Sequence, residues 1–185
     1  MGGAAIDKRF FELLGWCKKF QNAGLIPDPK IKKGGNLSFR DGDGFVITPS
    51  AKPFVSLLAE DLVKVEKPDY EKNIVYARGR LFPASETFIH AMIYENYPVV
   101  NAVFHGECEL ITKNAEKLGL AVTEQFHQYG TLDLAKETLK SFFSNPNAQC
   151  IVMRDHGEVY VGKDMQDAGE TALHILEMAK RNAGE

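Results

Sequence analysis

Two copies of the tripeptide His-Gly-Glu supply the side chains of this sequence that are best suited to bind a metal ion. They occupy residues 105–107 and 156–158. An apolar run precedes each copy, residues 99–104 before the first and residues 150–153 before the second. Such runs predict buried strands, so both imidazoles are expected where a strand ends in a loop. Histidines at strand ends with carboxylates nearby are typical of divalent metal sites, although one His-Gly after a strand is also common turn chemistry.

Three further segments combine backbone-shaping residues with polar side chains. They are residues 33–38 (Lys-Gly-Gly-Asn-Leu-Ser), 47–52 (Ile-Thr-Pro-Ser-Ala-Lys) and 81–86 (Leu-Phe-Pro-Ala-Ser-Glu). Glycines let backbone amides approach a ligand closely, and the start of a helix directs free amides at an anion. Each segment also has a structural interpretation: a glycine turn, a strand exit fixed by proline, and a helix start. In that last interpretation Ser85 is the predicted N-cap and Glu86 lies in the first helical turn.

Hydrophobic periodicity predicts the elements that position these residues. The predicted helices are residues 10–20 with a stop at Gly24, 86–97, 108–118, 132–144 capped by Thr131, and 165–182 capped by Asp164. The predicted strands are residues 36–40 and 45–48, which form a hairpin, and 62–65, 74–77, 99–104, 150–154 and 159–161. Hairpins at one end and helix–strand alternation at the other predict a mixed sheet with helices on both faces.

Two aromatic side chains of the predicted helices are interpreted as structural. Trp16 lies on the apolar face of the first helix and is expected in the core. His90 lies between Ile89 and Met92 on the helix 86–97, so it is interpreted as a packed residue and not as a ligand.

The composition is that of one ordinary globular domain spanning residues 1–185, which is long enough to form a hydrophobic core. The net charge is -3 with both signs interspersed, so no nucleic-acid partner is expected. No apolar run approaches the roughly 20 residues of a membrane span, so no membrane association is expected. Cys17, Cys108 and Cys150 lie in unrelated contexts, which predicts no disulfide framework and a reducing, cytoplasmic location.

Six short motifs, taken in their order along the chain, resemble those of the class II aldolase and adducin-head family. The motifs are Gly35-Asn36-Leu37-Ser38, Ile47-Thr48-Pro49-Ser50, Pro83-Ala84-Ser85-Glu86, Val103-Phe104-His105, Tyr129-Gly130-Thr131 and Asp155-His156-Gly157. The resemblance extends from Gly34 to about Ala179. It implies an α/β fold, a three-layer α/β/α sandwich with a mixed, largely antiparallel central sheet. It also implies a homotetramer whose active sites lie at subunit interfaces.

The resemblance also implies a role for each matching residue. His105 and His156 match the ligands of a zinc ion that polarises the substrate carbonyl, and Glu86 matches the acid/base. The positions that match the loops around the substrate phosphate are Asn36, Ser50 and Ser85.

The sequence departs from the family pattern at the metal site. The aldolases usually carry a second histidine two residues after the first, where this chain has Glu107. Side chains two apart on a strand point the same way, so Glu107 is expected to reach a metal held by His105. Two histidines and a carboxylate suit zinc, and also manganese or iron. A carboxylate ligand cancels part of the metal's charge, which weakens its Lewis acidity.

Two further departures fall in the phosphate loops, and one match is insecure. Ala51 stands where the family has glycine, and Ala84 stands where it has the first of two serines. Both changes remove room or a donor from the phosphate site. The nearest candidate for the tyrosine that donates a proton from a neighbouring subunit is Tyr129.

These patterns predict a metal-dependent lyase of the aldolase type. Its expected reaction cleaves or forms a carbon–carbon bond in a small hydroxy-carbonyl substrate, a sugar phosphate. One alternative is an epimerase, dehydratase or decarboxylase that uses the same metal site. The other is a non-catalytic, adducin-head-like interaction module that has lost its metal.

Overall fold

A computed structural model describes residues 7–28, 30 and 34–184, so the prediction for Lys33 lies outside the described residues. The α-helices of the described chain are α1 (Lys8–Ala23), α2 (Thr87–Asn96), α3 (Glu109–Thr112), α4 (Leu132–Ser144) and α5 (Met165–Ala183). The strands are β1 (Asn36–Asp41), β2 (Gly44–Ile47), β3 (Val63–Asp69), β4 (Ile74–Arg78), β5 (Ala102–Gly106), β6 (Ala121–Val122), β7 (Cys150–Met153) and β8 (Gly157–Gly162).

The described strands form one eight-stranded sheet in the order β4-β3-β2-β1-β5-β8-β7-β6. All neighbouring strands pair antiparallel except β6 and β7, which pair parallel. Helices α1, α3 and α5 pack on one face of the sheet, and α2 and α4 pack on the other. The predicted three-layer α/β/α sandwich with a mixed, largely antiparallel sheet is therefore confirmed.

The central strands are buried on both faces, and their side chains contribute to two hydrophobic cores. On β5, Ala102 and Phe104 face the layer of α1 and α5, whereas Val103 faces the layer of α2 and α4. Side chains alternate between the two faces of a strand, so a strand covered on both faces is apolar throughout. This explains why Ala102, Val103 and Phe104, which precede the first His-Gly-Glu, are apolar at successive positions.

The helix ends follow the predicted caps at three positions. Gly24 ends α1 with a φ of 79°, in the left-handed region that glycine adopts without steric cost. The Thr131 hydroxyl accepts from the Leu134 amide, and the Asp164 carboxylate accepts from the Asp167 amide. Trp16 is buried against the core, as predicted.

Several predicted boundaries are wrong. The strand predicted from residue 99 begins at Ala102, because Val99 is exposed in the turn that precedes it, and it continues through His105. The helix predicted over residues 108–118 ends at Thr112 and continues only as turns. The two-residue strand β6 was not predicted, since Ala121 and Val122 are too few to show a period.

None of the helices in the described ranges combines the length and the apolar composition that crossing a bilayer requires.

Candidate metal centre

The two His-Gly-Glu copies lie side by side because β5 and β8 pair antiparallel at the centre of the sheet. In this register Gly106 faces Glu158 and His105 faces Val159. His105 lies within β5, whereas His156 lies in the turn between β7 and β8. His156 follows Asp155, whose φ of 56° turns the chain sharply at this point. Both imidazoles therefore lie at the same end of the paired strands β5 and β8.

The glycine of the second copy is needed for this close approach. A Cβ atom on Gly157 would lie 2.2 Å from the Gly106 carbonyl oxygen and 2.8 Å from Cε1 of His105. Neither the strand backbone nor a fully buried ring can move away easily. A side chain at this position would therefore separate the strands or displace His105.

Three side chains converge here with atoms that bind metals. One ligand atom from each of His105, Glu107 and His156 lies within 4.8 Å of the other two. The two imidazole rings stack with centroids 4.9 Å apart, and His105 Nε2 lies 3.7 Å from Glu107 Oε1. Two atoms that each lie about 2.1 Å from an ion are at most about 4.2 Å apart. Small side-chain rotations would therefore close the group around a metal.

Hydrogen bonding prepares His105 to act as a ligand. Its Nδ1 donates to the backbone carbonyl of Glu158 at 3.0 Å, which leaves the lone pair of a neutral ring on Nε2. Within the described chain, Nε2 of His105 is buried and has no hydrogen-bond partner. A buried nitrogen without a hydrogen bond is costly unless it binds something. The site therefore fits a divalent metal.

The electrostatics of the site also favour a cation. Burial opposes protonation of His105, but the carboxylates of Glu107 and Glu86 outweigh burial and raise the pKa of His105.

The loop before β1 lies in close contact with the Glu107 carboxylate, since a Cβ on Gly34 would lie 2.6 Å from Glu107 Cδ. The glycine thus lets the backbone pass directly over the Glu107 side chain.

Glu86 is buried at the start of α2 and faces the same site. Its Oε2 accepts from Asn36 Nδ2 at 2.9 Å and from Ser85 Oγ at 2.8 Å, while its Oε1 lies 4.0 Å from His156 Nε2. The prediction that Ser85 caps α2 is wrong, because the residue at the N-cap is Glu86 and the Ser85 hydroxyl bonds to its carboxylate.

The three predicted phosphate residues line one cavity of about 400 Å³ beside the histidines. Pro49 and Pro83 pair across an isolated bridge, and the Ser50 amide donates to the Phe82 carbonyl at 3.0 Å. This pairing joins the segment after β2 to the segment before α2. The lining residues that were predicted to bind phosphate are Asn36, Ser50 and Ser85.

Ala51 and Lys52 line the same cavity. Ala51 has a φ of 59°, in the left-handed region that disfavours every residue with a Cβ. Lys52 contributes a cation to the cavity wall, but its Nζ is paired with Asp61 at 2.5 Å. The family's glycine at the Ala51 position is therefore explained by backbone conformation.

Tyr129 lies in the cavity of its own chain. Its ring stacks over His156 with centroids 6.4 Å apart and an interplanar angle of 11°, and most of the ring is exposed. Sequence reasoning missed this contact, and it also missed the role of the Glu158 carbonyl in orienting His105. The sequence has no signal for either, since the first contact joins two turns distant in sequence and the second depends on the register of β5 and β8.

Comparisons with known proteins agree with this architecture. Residues 12–182 match the Class II Aldolase and Adducin N-terminal domain. The chain therefore belongs to the class II aldolase and adducin family.

The similar proteins carry out more than one reaction. The chain is 28% identical to an L-fuculose phosphate aldolase of Methanocaldococcus jannaschii, over 95% of this chain and 94% of that protein. It is 27% identical to a methylthioribulose-1-phosphate dehydratase of Microcystis aeruginosa, over 89% of each. The fold matches a solved L-fuculose 1-phosphate aldolase with a TM-score of 0.78 at 22% identity, covering 100% of this chain and 90% of that one.

Proposed function

We propose that this protein is a metal-dependent lyase of the aldolase type, acting on a small sugar phosphate with a hydroxy-carbonyl group. The observation that carries the proposal is the convergence of His105, Glu107 and His156 beside a buried glutamate and a polar cavity. Zinc is the first choice of metal for two histidines and a carboxylate, with manganese and iron as alternatives.

The residues of the site have two roles, metal binding and proton transfer. The three ligands would hold the metal, which supplies Lewis acidity at the substrate carbonyl when it is bound. Glu86 holds or releases a proton at Oε1, the oxygen that faces His156, while Asn36 and Ser85 fix Oε2. The phosphate end of the substrate would lie in the same cavity, against Asn36, Ser50 and Ser85.

The phosphate site is proposed to be weak. Ser50 is exposed in the cavity, whereas the hydroxyl of Ser85 and the amide of Asn36 already donate to Glu86. Ala84 offers no hydroxyl at its position. Phosphate or sulfate soaked at increasing concentration into crystals should occupy the cavity next to Ser50, and a cavity that stays empty would contradict the proposal.

The reaction itself is tested with a panel of substrates. Metal-loaded protein should cleave one or more ketose 1-phosphates to dihydroxyacetone phosphate and an aldehyde, as detected by coupled reduction. Glu86→Gln should reduce kcat by roughly 10²- to 10⁴-fold, the usual contribution of an acid/base, while binding of metal is retained. Cleavage that is unaffected by this substitution would contradict the assignment of Glu86.

The dehydratase among the similar proteins supports a second candidate reaction on the same site. A dehydratase or epimerase would also use a metal and a positioned acid/base. Products therefore need to be identified by NMR: loss of water or inversion at one carbon, without two fragments, would favour the second candidate. If no metal is bound, the non-catalytic interaction module becomes the better explanation.

We further propose that the protein is a homotetramer with its sites at subunit interfaces. The side chain of Phe82 is 86% exposed and lies beside the cavity, next to the exposed Leu81. A large exposed apolar side chain at a cavity mouth is typical of a surface covered by another chain. The predicted cytoplasmic location stays a prediction; all three cysteines are free and buried.

A further inference from the structure

A chain of buried hydrogen bonds runs from Glu86 away from the cavity, between α2 and β1. Asn36 Nδ2 donates to Glu86 Oε2 at 2.9 Å, and Asn36 Oδ1 lies 2.6 Å from His90 Nε2. On the other side of the ring, His90 Nδ1 lies 2.7 Å from Ser38 Oγ, which lies 2.8 Å from the Tyr94 hydroxyl. All five residues are buried.

The spacing of these residues explains why they meet. Glu86, His90 and Tyr94 follow each other at intervals of four, so they share one face of α2. Asn36 and Ser38 are two apart on β1 and share one face of that strand. Every hydrogen bond between these five residues therefore lies between this face of α2 and this face of β1, or within one of them.

The Asn36 amide fixes the direction of every hydrogen bond in the chain. If the amide were reversed, its oxygen would face the Glu86 carboxylate, and two acceptors would meet. Asn36 Oδ1 therefore accepts, which requires a proton on His90 Nε2. Chiefly because of burial, and next because of the electrostatic influence of His105, the pKa of His90 is lowered to about 3, so the ring is neutral and its Nδ1 accepts.

The remaining links follow from this tautomer. The Ser38 hydroxyl donates to His90 Nδ1 at 2.7 Å in preference to the Val103 carbonyl at 3.3 Å. Ser38 Oγ then accepts from the Tyr94 hydroxyl. Each donor in the chain thus points towards Glu86, and aligned hydrogen bonds polarise one another in a buried setting.

We propose that His90 is a positioning residue that acts through Asn36 to hold Glu86 with Oε2 bound and Oε1 turned towards His156 and the cavity. The meaning of this role for catalysis rests on the proposed function, because it takes Glu86 as the acid/base. His90 itself is fully buried and does not line the cavity. In this role His90 does more than pack against its neighbours.

The tautomer of His90 tests the direction of the chain without any enzyme assay. In protein labelled with ¹⁵N-histidine, long-range ¹H–¹⁵N spectra should show His90 as the neutral Nε2–H tautomer at pH 7. The signal is assigned by its loss in His90→Gln. An Nδ1–H tautomer or a charged ring would overturn the proposed direction.

Two variants at this position separate positioning from packing. His90→Phe keeps a ring next to Phe45, on which His90 stacks with centroids 6.3 Å apart, but it removes both nitrogens. His90→Gln places an amide N–H where Nε2–H lies. His90→Phe should lower kcat by about 100-fold, since a misplaced group can cost that much, with KM and bound metal unchanged. His90→Gln should restore most of the lost activity.

Two further variants serve as controls for the substitutions of His90. Thr138→Val removes a buried hydroxyl that donates to the Leu134 carbonyl on α4, so it should lower stability without changing kcat. If His90→Phe does not fold, Tyr94→Phe removes only the distal donor and should lower kcat a few-fold. Full activity of His90→Phe, or equal losses in His90→Phe and His90→Gln, would overturn the positioning role.

Failure of the proposed function is a separate outcome. If the wild-type protein cleaves no substrate, crystal structures of the wild type and His90→Phe still compare the Glu86 side chain directly. The proposal requires that Oε2 leave Asn36 or that the carboxylate rotate in the variant. A Glu86 side chain that is unmoved in the variant would overturn it.

Discussion

At the scale of single residues, backbone conformation explains why the family has glycine at the position of Ala51. Ala51 was interpreted as a loss of room in the phosphate loop, because the family has glycine there. In the structure the residue has a φ of 59°, so the glycine of the family meets a conformational need. Ala51 therefore carries a backbone strain of about 1–2 kcal/mol that glycine would not.

This strain gives a prediction for stability. Ala51→Gly should raise the free energy of unfolding by about 0.5–1 kcal/mol, since relief of strain exceeds the added entropy of the unfolded chain. Urea unfolding followed by Trp16 fluorescence measures it. Ala77→Gly, at an exposed strand position without positive φ, is the matched control and should lower stability. Equal losses in both variants would contradict the account.

Sequence reasoning succeeded at this scale where a motif was local. The two histidines and Glu107 were predicted from short patterns and Glu86 from the family resemblance, and the structure places these side chains close together. The bonds from Asn36 and Ser85 to Glu86 were not foreseen. Asn36 and Glu86 are 50 residues apart, and their contact depends on how β1 packs against α2.

At the scale of elements, α2 shows how a helix serves both the core and the site. Ile89 and Ile93 pack into the core beside α4, while the face with His90 packs against β1. The Arg40 guanidinium donates to the carbonyls of Tyr94 and Tyr97 at the end of α2, which satisfies carbonyls that the helix leaves free. The helix is therefore fixed at both ends by β1 and its neighbours.

The buried histidine of α2 makes stability depend on pH. Its pKa is about 3 in the folded chain, whereas 6.5 is its ordinary value. Below pH 6.5 the unfolded chain binds a proton that the folded chain does not, so stability is lost as pH falls towards 3. The slope is about 1.4 kcal/mol per pH unit, up to about 5 kcal/mol in total.

The difference in stability between the wild type and His90→Phe isolates this effect from all other groups. At pH 7 the wild type has the full contribution of neutral His90, and at pH 5 it has lost about 2 kcal/mol of it. The difference should shrink by that amount in urea unfolding at the two pH values. A difference that does not change with pH would contradict a neutral, buried His90.

Predictions of helices and strands were reliable where hydrophobic periodicity extended over many residues. They were unreliable where pairing between distant segments determines the element. The predicted limits of α4, residues 132–144, agree with the structure, and so does its cap at Thr131. Strand β6 consists of two residues that are held by parallel pairing with β7, so no local pattern could reveal it. The start of β5 was misplaced because an exposed valine, Val99, resembles a strand residue.

At the scale of the whole molecule, the fold leaves apolar side chains on the surface near the cavity. Phe82 is 86% exposed and Tyr129 is 62% exposed, although both are large. Their position next to the site is what an interface site requires. The order of the six motifs predicted the family and the fold, but no sequence pattern marks which surface meets another chain.

The proposed tetramer predicts the mass in solution. Sedimentation at micromolar concentration should give four times the 20.6 kDa mass of the chain. Phe82→Glu should shift the distribution towards smaller species, because it places a charge in an apolar contact. Phe143→Glu, at a phenylalanine of α4 that is 56% exposed and does not line the cavity, is the control. A 20.6 kDa species alone in the wild type would contradict the proposal.

The central claim, that His105, Glu107 and His156 bind a divalent metal, is tested most directly by bound metal per chain. Protein incubated with excess zinc, manganese or iron and then desalted should retain about one ion, measured by elemental analysis. Glu107→Ala should lose most of it, because a ligand is removed, and Glu107→His should retain it. Absence of metal in the wild type, or full retention in Glu107→Ala, would contradict the claim.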